Sequence, residues 1–184
     1  MTFDNLNQYL AAYSKDRELG IIPIPLVAEY LERTPAAVTA MIRAGNLAEI
    51  KIGKNRFVSV QSLADRQKKH DDDCKIVKNY LIKQVRKGET AMFYEPVMAQ
   101  IGLSTTVPAD RTKIGIILGD ISAETNDQKG RDRCMLSVLV HRKTAGPTRP
   151  GDGFFELARH LGYEWDDGDA FVEEQTKRVM RAYS

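Results

Sequence analysis

The side chains with the most chemistry to offer are three histidines (His70, His141, His160), two cysteines (Cys74, Cys134) and an unevenly spread set of basic residues. The densest group lies between Val140 and Phe154, where His141, Arg142, Lys143, Thr144, Arg149 and Asp152 share one Gly- and Pro-rich loop. A loop between a buried strand and a helix is a common seat for functional groups. Two chemistries fit it. His141 can serve as the base of a nuclease-like enzyme, or His141, Arg142, Lys143 and Arg149 can form a second nucleic-acid contact on phosphates. The rest of the chain adds little to the enzymatic option. No histidine–cysteine set at zinc spacing and no Gly-rich phosphate loop occurs. Glu49-Ile50-Lys51 has the ending of a nuclease motif, but it falls in a segment that reads as a DNA-facing strand. Asp110, Asp120, Glu124 and Asp127 are placed like Mg²⁺ ligands, yet such acids more commonly form a solvated helix face. The expectation is therefore a protein that is not an enzyme, with no catalytic residue, metal, cofactor or small-molecule substrate.

Charge is more informative when resolved along the chain. The 184 residues carry a formal net charge of +2. From Pro35 to His70, seven basic residues (Arg43, Lys51, Lys54, Arg56, Arg66, Lys68, Lys69) face two acids (Glu49, Asp65), a local charge of +5. Glu164, Asp166, Asp167, Asp169, Glu173 and Glu174 balance it near the other end. A basic window of this kind points to a polyanionic partner. No apolar run reaches the ~20 residues of a membrane helix, the first residues lack the pattern of a secretion signal, and two cysteines cannot build a disulfide framework. A cytoplasmic protein with no membrane partner is expected.

The secondary structure that holds these groups can be read from local signals. Phe3, Leu6, Tyr9, Leu10 and Tyr13 have helical spacing. Pro23 and Pro25 favour an extended entry into a short helix with Leu26, Val27, Tyr30 and Leu31 on one face. Thr34-Pro35 reads as an N-cap followed by proline at the first helical position, with Ala37, Val38, Met41 and Ile42 turned inward. Gly45-Asn46 stops that helix. Residues 48–60 alternate apolar and polar around Gly53-Lys54-Asn55, a β-hairpin signal. Ser62 opens a further helix, and Asp71-Asp72-Asp73 marks a boundary or kink. Beyond it, helices are expected over 74–87, from Pro96 to Ile101, from Pro108, over 154–162 and over 169–183. Residues 125–132 carry turn chemistry, and 134–140 reads as a buried strand. Trp165 reads as a packing anchor, and no internal repeat is evident.

The order helix, turn, helix, Gly-Asn, basic-tipped hairpin, helix is that of a winged helix-turn-helix. The segment 26–63 resembles the excisionase and MerR-type DNA-binding domains. The resemblance rests on Ala28 and Leu31, Thr34-Pro35, Val38, Ile42, Gly45 with Leu47, Ile50-Lys51-Ile52-Gly53, and Arg56 with Phe57. It implies double-stranded DNA as partner, with Thr34, Ala36, Thr39 and Arg43 of a recognition helix and Lys51, Lys54, Asn55 and Arg56 of a wing as contacts. Residues 90–162 are loosely similar to the winged-helix part of alkylguanine transferases through Tyr94, Ala99, Leu118-Gly119 and His141-Arg142. The Pro-Cys-His-Arg arrangement of those enzymes is missing, since Val140 precedes His141 and Cys134 lies seven residues earlier, so thiolate alkyl transfer is not expected.

The fold expected is α+β and mostly helical: an N-terminal helix (1–20), a winged helix-turn-helix (21–72), and a C-terminal helical domain with a short β element (73–184). That last domain serves as a second winged helix or an oligomerisation unit, and a homodimer would supply the affinity one small module lacks. The function expected is sequence-selective duplex binding by a transcription regulator or a recombination or replication accessory factor. The alternatives are the nuclease-like enzyme using the 141–152 loop and a protein-interaction module of a mobile-element system.

Overall fold

The structure, a computed structural model, describes residues 1–127, 133–143 and 148–184. The protein is α+β and mostly helical. In chain order its elements are β1 (Thr2–Phe3), α1 (Leu6–Lys15), β2 (Ile21–Pro23), α2 (Ile24–Tyr30), α3 (Pro35–Arg43), β3 (Glu49–Ile52), β4 (Asn55–Ser59) and α4 (Val60–Val85). Next come β5 (Met92–Phe93), α5 (Tyr94–Ala99), α6 (Pro108–Asn126), β6 (Val140–His141), α7 (Asp152–His160) and α8 (Gly168–Tyr183). The chain divides into two compact units, Met1–His70 and Asp71–Ser184. No helix among the described residues is long and apolar enough to cross a membrane.

In the first unit the strands form one sheet in the order β1-β3-β4-β2. β3 and β4 are antiparallel, pairing Glu49 with Val58, Ile50 with Phe57, Lys51 with Arg56 and Ile52 with Asn55. Side chains of directly opposed residues share a face, and successive pairs alternate. One face therefore carries Ile50, Ile52 and Phe57, which pack with Tyr9 of α1 and with Phe3. The other carries Val58, which packs with Val27 and Ala28 of α2, Val38 of α3, and Leu47. The hairpin turns through Gly53, whose φ of +58° suits glycine at the first turn position. A side chain there would also crowd the Asp4 carbonyl at 3.3 Å.

The turn between α2 and α3 is closed by Arg33 N donating to the Ala28 carbonyl (2.8 Å) and leaves Glu32 at φ +52°. That conformation costs a residue bearing a Cβ roughly 1 kcal/mol. Glu32→Gly is accordingly expected to stabilise the protein by about 0.5–1 kcal/mol, after the greater entropy of an unfolded glycine. Urea denaturation with circular dichroism as the readout checks this; a lower midpoint would contradict it.

The second unit is organised around Val77, Leu81 and Val85 of α4, Val97 and Met98 of α5, and Ile114, Ile117, Leu118 and Ile121 of α6. The 134–140 segment is not a strand. A 3₁₀ turn occupies Leu136–Leu139, and only Val140–His141 pairs, parallel to β5. The apolar run is buried as its composition demands, but burial alone does not choose between extended and helical backbone. Nor does the triple aspartate stop a helix. α4 runs through Asp71–Asp73, whose charges meet Lys75 (from Asp72, 3.6 Å) and, from the buried Asp73, Lys113 of α6. α5 begins at Tyr94, two residues ahead of the proline expected to open it. Trp165 does pack, stacked on Phe171 with ring centroids 4.5 Å apart.

Candidate nucleic-acid interface

α3 is positioned by a cap at its start and a sheet behind it. Thr34 Oγ1 accepts from the Ala37 amide (3.2 Å), one of the donors that a helix start leaves without an internal partner. Val38 is fully buried against Val27 and Val58, which fixes the rotation of the helix. Thr34, Ala36, Ala40 and Arg43 are then exposed. Thr39 is half-buried, and its hydroxyl donates back to the Pro35 carbonyl (3.0 Å), leaving its lone pairs as the outward-facing group. Arg43 ends the helix and makes no ion pair among the described residues.

The hairpin completes the surface. Lys51 and Arg56 are directly opposed, in the same alternating set as Glu49 and Val58. They therefore lie on the sheet face that covers α2 and α3, not on the α1 face. Lys54 and Asn55 stand exposed at the tip. Among the eight residues expected to contact DNA in this unit, seven are exposed or half-exposed polar or charged groups, and Ala36 offers close approach.

Glu49 is the residue that sequence reasoning undervalued. Its carboxylate accepts from Arg56 Nε and stands 3.4 Å from Lys51 Nζ. Burial alone would raise its pKa, but the hydrogen bonds from Arg56 and Lys51 hold it below the ordinary glutamate value. Glu49 thus aligns the two wing cations rather than completing a nuclease motif. The signal was in the register: residues 49, 51 and 56 fall on one face once Gly53-Lys54 is taken as the turn.

In the second unit, Arg142, Lys143 and Arg149 are exposed, while Thr144 lies outside the described residues. The Arg142 amide donates to the Arg149 carbonyl (3.0 Å), and His141 bridges antiparallel to Pro150, so Arg142 and Arg149 sit on two opposed arms of chain. Arg142 pairs with Asp152 (2.8 Å) and Lys143 with Glu95 (3.6 Å), both exposed pairs. His141 is only 8% exposed. Its Nε2 lies 3.0 Å from the Val138 carbonyl and Nδ1 3.2 Å from Thr148 Oγ1. The carbonyl can only accept, so Nε2 carries the proton and Nδ1 accepts from the hydroxyl. Neither nitrogen is left for a general base.

Burial lowers the His141 pKa below the ordinary histidine value, against the pull of those hydrogen bonds. The unfolded chain therefore binds the proton more readily than the folded one, and stability falls as pH drops below the unfolded value of about 6.5. Thermal melts are expected to show a decline between about pH 7 and 5 that flattens in His141→Gln. An equally steep decline in that variant would contradict the assignment. Cys74 is equally unsuited to nucleophilic chemistry. Burial, then the carboxylates of Asp120, Asp71, Asp73 and Glu124, push its thiol up to about 11, so it stays protonated at neutral pH.

Compared with known protein families, with curated proteins and with solved structures, the chain has no match.

Proposed function

We propose that Met1–His70 is a winged helix-turn-helix module that binds double-stranded DNA, in a protein that acts as a transcription regulator or a recombination or replication accessory factor. α3 enters the major groove, and the β3–β4 hairpin lies along the backbone as a wing. The observation that carries this reading is the register of the hairpin. It puts Lys51 and Arg56 on the sheet face shared with α3, so one surface presents a capped helix start, Arg43 and a basic tip. Each part has a matching target. Thr34, Ala36 and the first α3 amides suit phosphate approach at a helix N-terminus. Thr39 and Arg43 suit base edges or phosphates. Lys51, Lys54 and Arg56 suit the backbone, and Asn55 the adjacent groove. The resemblance of 26–63 to excisionase and MerR-type domains supports the same conclusion.

Phosphate neutralisation makes such binding salt-dependent, with a log–log slope of about −0.9 for each phosphate contacted. Four basic side chains on this surface predict a slope of roughly −3 to −4 for the unit. Fluorescence anisotropy with a labelled duplex across a KCl series tests this. Absence of duplex binding, or binding indifferent to salt, would overturn the proposal.

A further inference from the structure

The two units share a local plan that their sequences conceal. In each, a short strand runs directly into a short helix that ends in a left-handed turn, and every landmark recurs at the same separation. The strands end at Pro23 and Phe93, and the helices start at Ile24 and Tyr94. The buried pairs are Val27-Ala28 and Val97-Met98, and the positive-φ residues are Glu32 (+52°) and Gly102 (+69°). The bonds closing the turn correspond as well. Glu32 N donates to the Glu29 carbonyl (3.0 Å) and Arg33 N to that of Ala28 (2.8 Å); Gly102 N donates to that of Ala99 (3.2 Å) and Leu103 N to that of Met98 (3.0 Å). From 22 to 32 and from 92 to 102, the succession of buried, half-buried and exposed positions is identical. Across that stretch only Val27 and Val97 share a residue type, which is why no repeat can be read from the sequence.

The likeness extends past the turn in both units. A proline opens the next helix, Pro35 in α3 and Pro108 in α6. Farther on, each unit sets two cations opposite each other on antiparallel arms: Lys51 and Arg56 in the first, Arg142 and Arg149 in the second. The copies differ in two respects. The second has a longer connection before its proline, and its entry strand β5 pairs in parallel with β6, whereas β2 pairs antiparallel with β4. Both changes leave the cation pair on opposed arms. The acids that Arg142 and Lys143 meet are exposed, and exposed ion pairs are weak enough for a phosphate to displace.

We infer that Asp71–Ser184 carries a second duplex-contacting module built on the same plan, with Arg142 and Arg149 standing where Lys51 and Arg56 stand in the first. The inference rests on the duplex-binding reading of Met1–His70, and one experiment separates the two. The full-length protein is titrated by anisotropy with a fluorescein-labelled mixed-sequence duplex of about 30 base pairs, roughly three helical turns, at several KCl concentrations. Variants are Arg142→Ala with Arg149→Ala, Arg142→Lys with Arg149→Lys, and Arg43→Ala with Arg56→Ala.

Loss of two phosphate contacts shallows the slope by about 1.8, so a fourfold rise in salt weakens the wild type about tenfold more than the alanine pair. The lysine pair keeps the charges and restores the slope, which a merely structural role for the arginines would not do. A wild-type slope in the Arg142/Arg149 alanine pair, beside weakened binding by the Arg43/Arg56 pair, overturns the second module and leaves the first reading standing. Failure of the lysine pair to restore the slope also overturns it. If the wild type binds no duplex, both readings fall together.

Discussion

Replacing Arg43 and Arg56 together by alanine is expected to weaken duplex binding by roughly 10- to 100-fold near physiological salt and to shallow the salt slope by about 1.8. Arg43 closes α3 on the exposed side and has no ion-pair partner among the described residues, so its whole charge is available to the ligand. Arg56 is held by Glu49 opposite Lys51. Its removal costs a contact and also leaves a carboxylate facing the phosphates with only Lys51 to offset it. The two arginines are separable by sequence dependence. A bidentate contact to guanine costs about 1–3 kcal/mol of discrimination at one position when lost, whereas a phosphate contact weakens all duplexes alike. Arg43→Ala should therefore narrow the difference between a preferred and a scrambled duplex, and Arg56→Ala should leave that difference intact. Both positions are at the surface, so stability should move by no more than about 0.5 kcal/mol. Unchanged affinity and slope in the double variant would contradict the interface as drawn.

The largest expected effect on stability belongs to Gln175→Ala. Gln175 lies on α8 at 1% exposure, and its Oε1 accepts from the Met135 amide at 3.1 Å, at the start of the irregular segment that fills the core of the second unit. Truncation leaves that amide buried without a partner, which costs about 1–3 kcal/mol, and opens a cavity that adds to it. A total loss of roughly 3 kcal/mol is expected from urea denaturation, with faster hydrogen exchange at the Met135 amide as the local signature. Gln175→Leu restores volume but no acceptor, and should recover only part of the loss. If Gln175→Ala costs less than about 1 kcal/mol and the Met135 amide stays protected, the buried bond is not holding this segment.

These two sites also mark what was legible in the sequence. The first unit was readable because its determinants are local. Thr34-Pro35 caps α3, Gly53 sets the turn, and strict alternation fixes which hairpin residues face α3. The second unit resisted because its determinants are distant. Gln175 sits on a helix whose inward face reads as Phe171, Val179 and Met180; nothing nearby signals that a polar residue finds a partner 40 residues away. Ser122 and Ser137 are likewise buried only because their hydroxyls meet at 2.6 Å. Asp73 reads as part of a helix-ending acidic run until Lys113 is brought to it. His141 reads as an exposed loop residue, yet β6 carries it inside, where Val138 and Thr148 occupy its ring. The repeated strand–helix–turn is invisible in residue types because backbone conformation and burial can recur under almost complete replacement of side chains.

Whether α3 and the wing are the DNA-facing surface can be decided by amide chemical-shift mapping of the full-length protein as duplex DNA is added at low salt. The perturbed amides of the first unit are expected to cluster at 34–43 and 51–56, with those of α1 on the opposite sheet face unmoved, and raising the salt should reverse the shifts. Perturbations centred on α1, or spectra unchanged by duplex, would contradict that assignment.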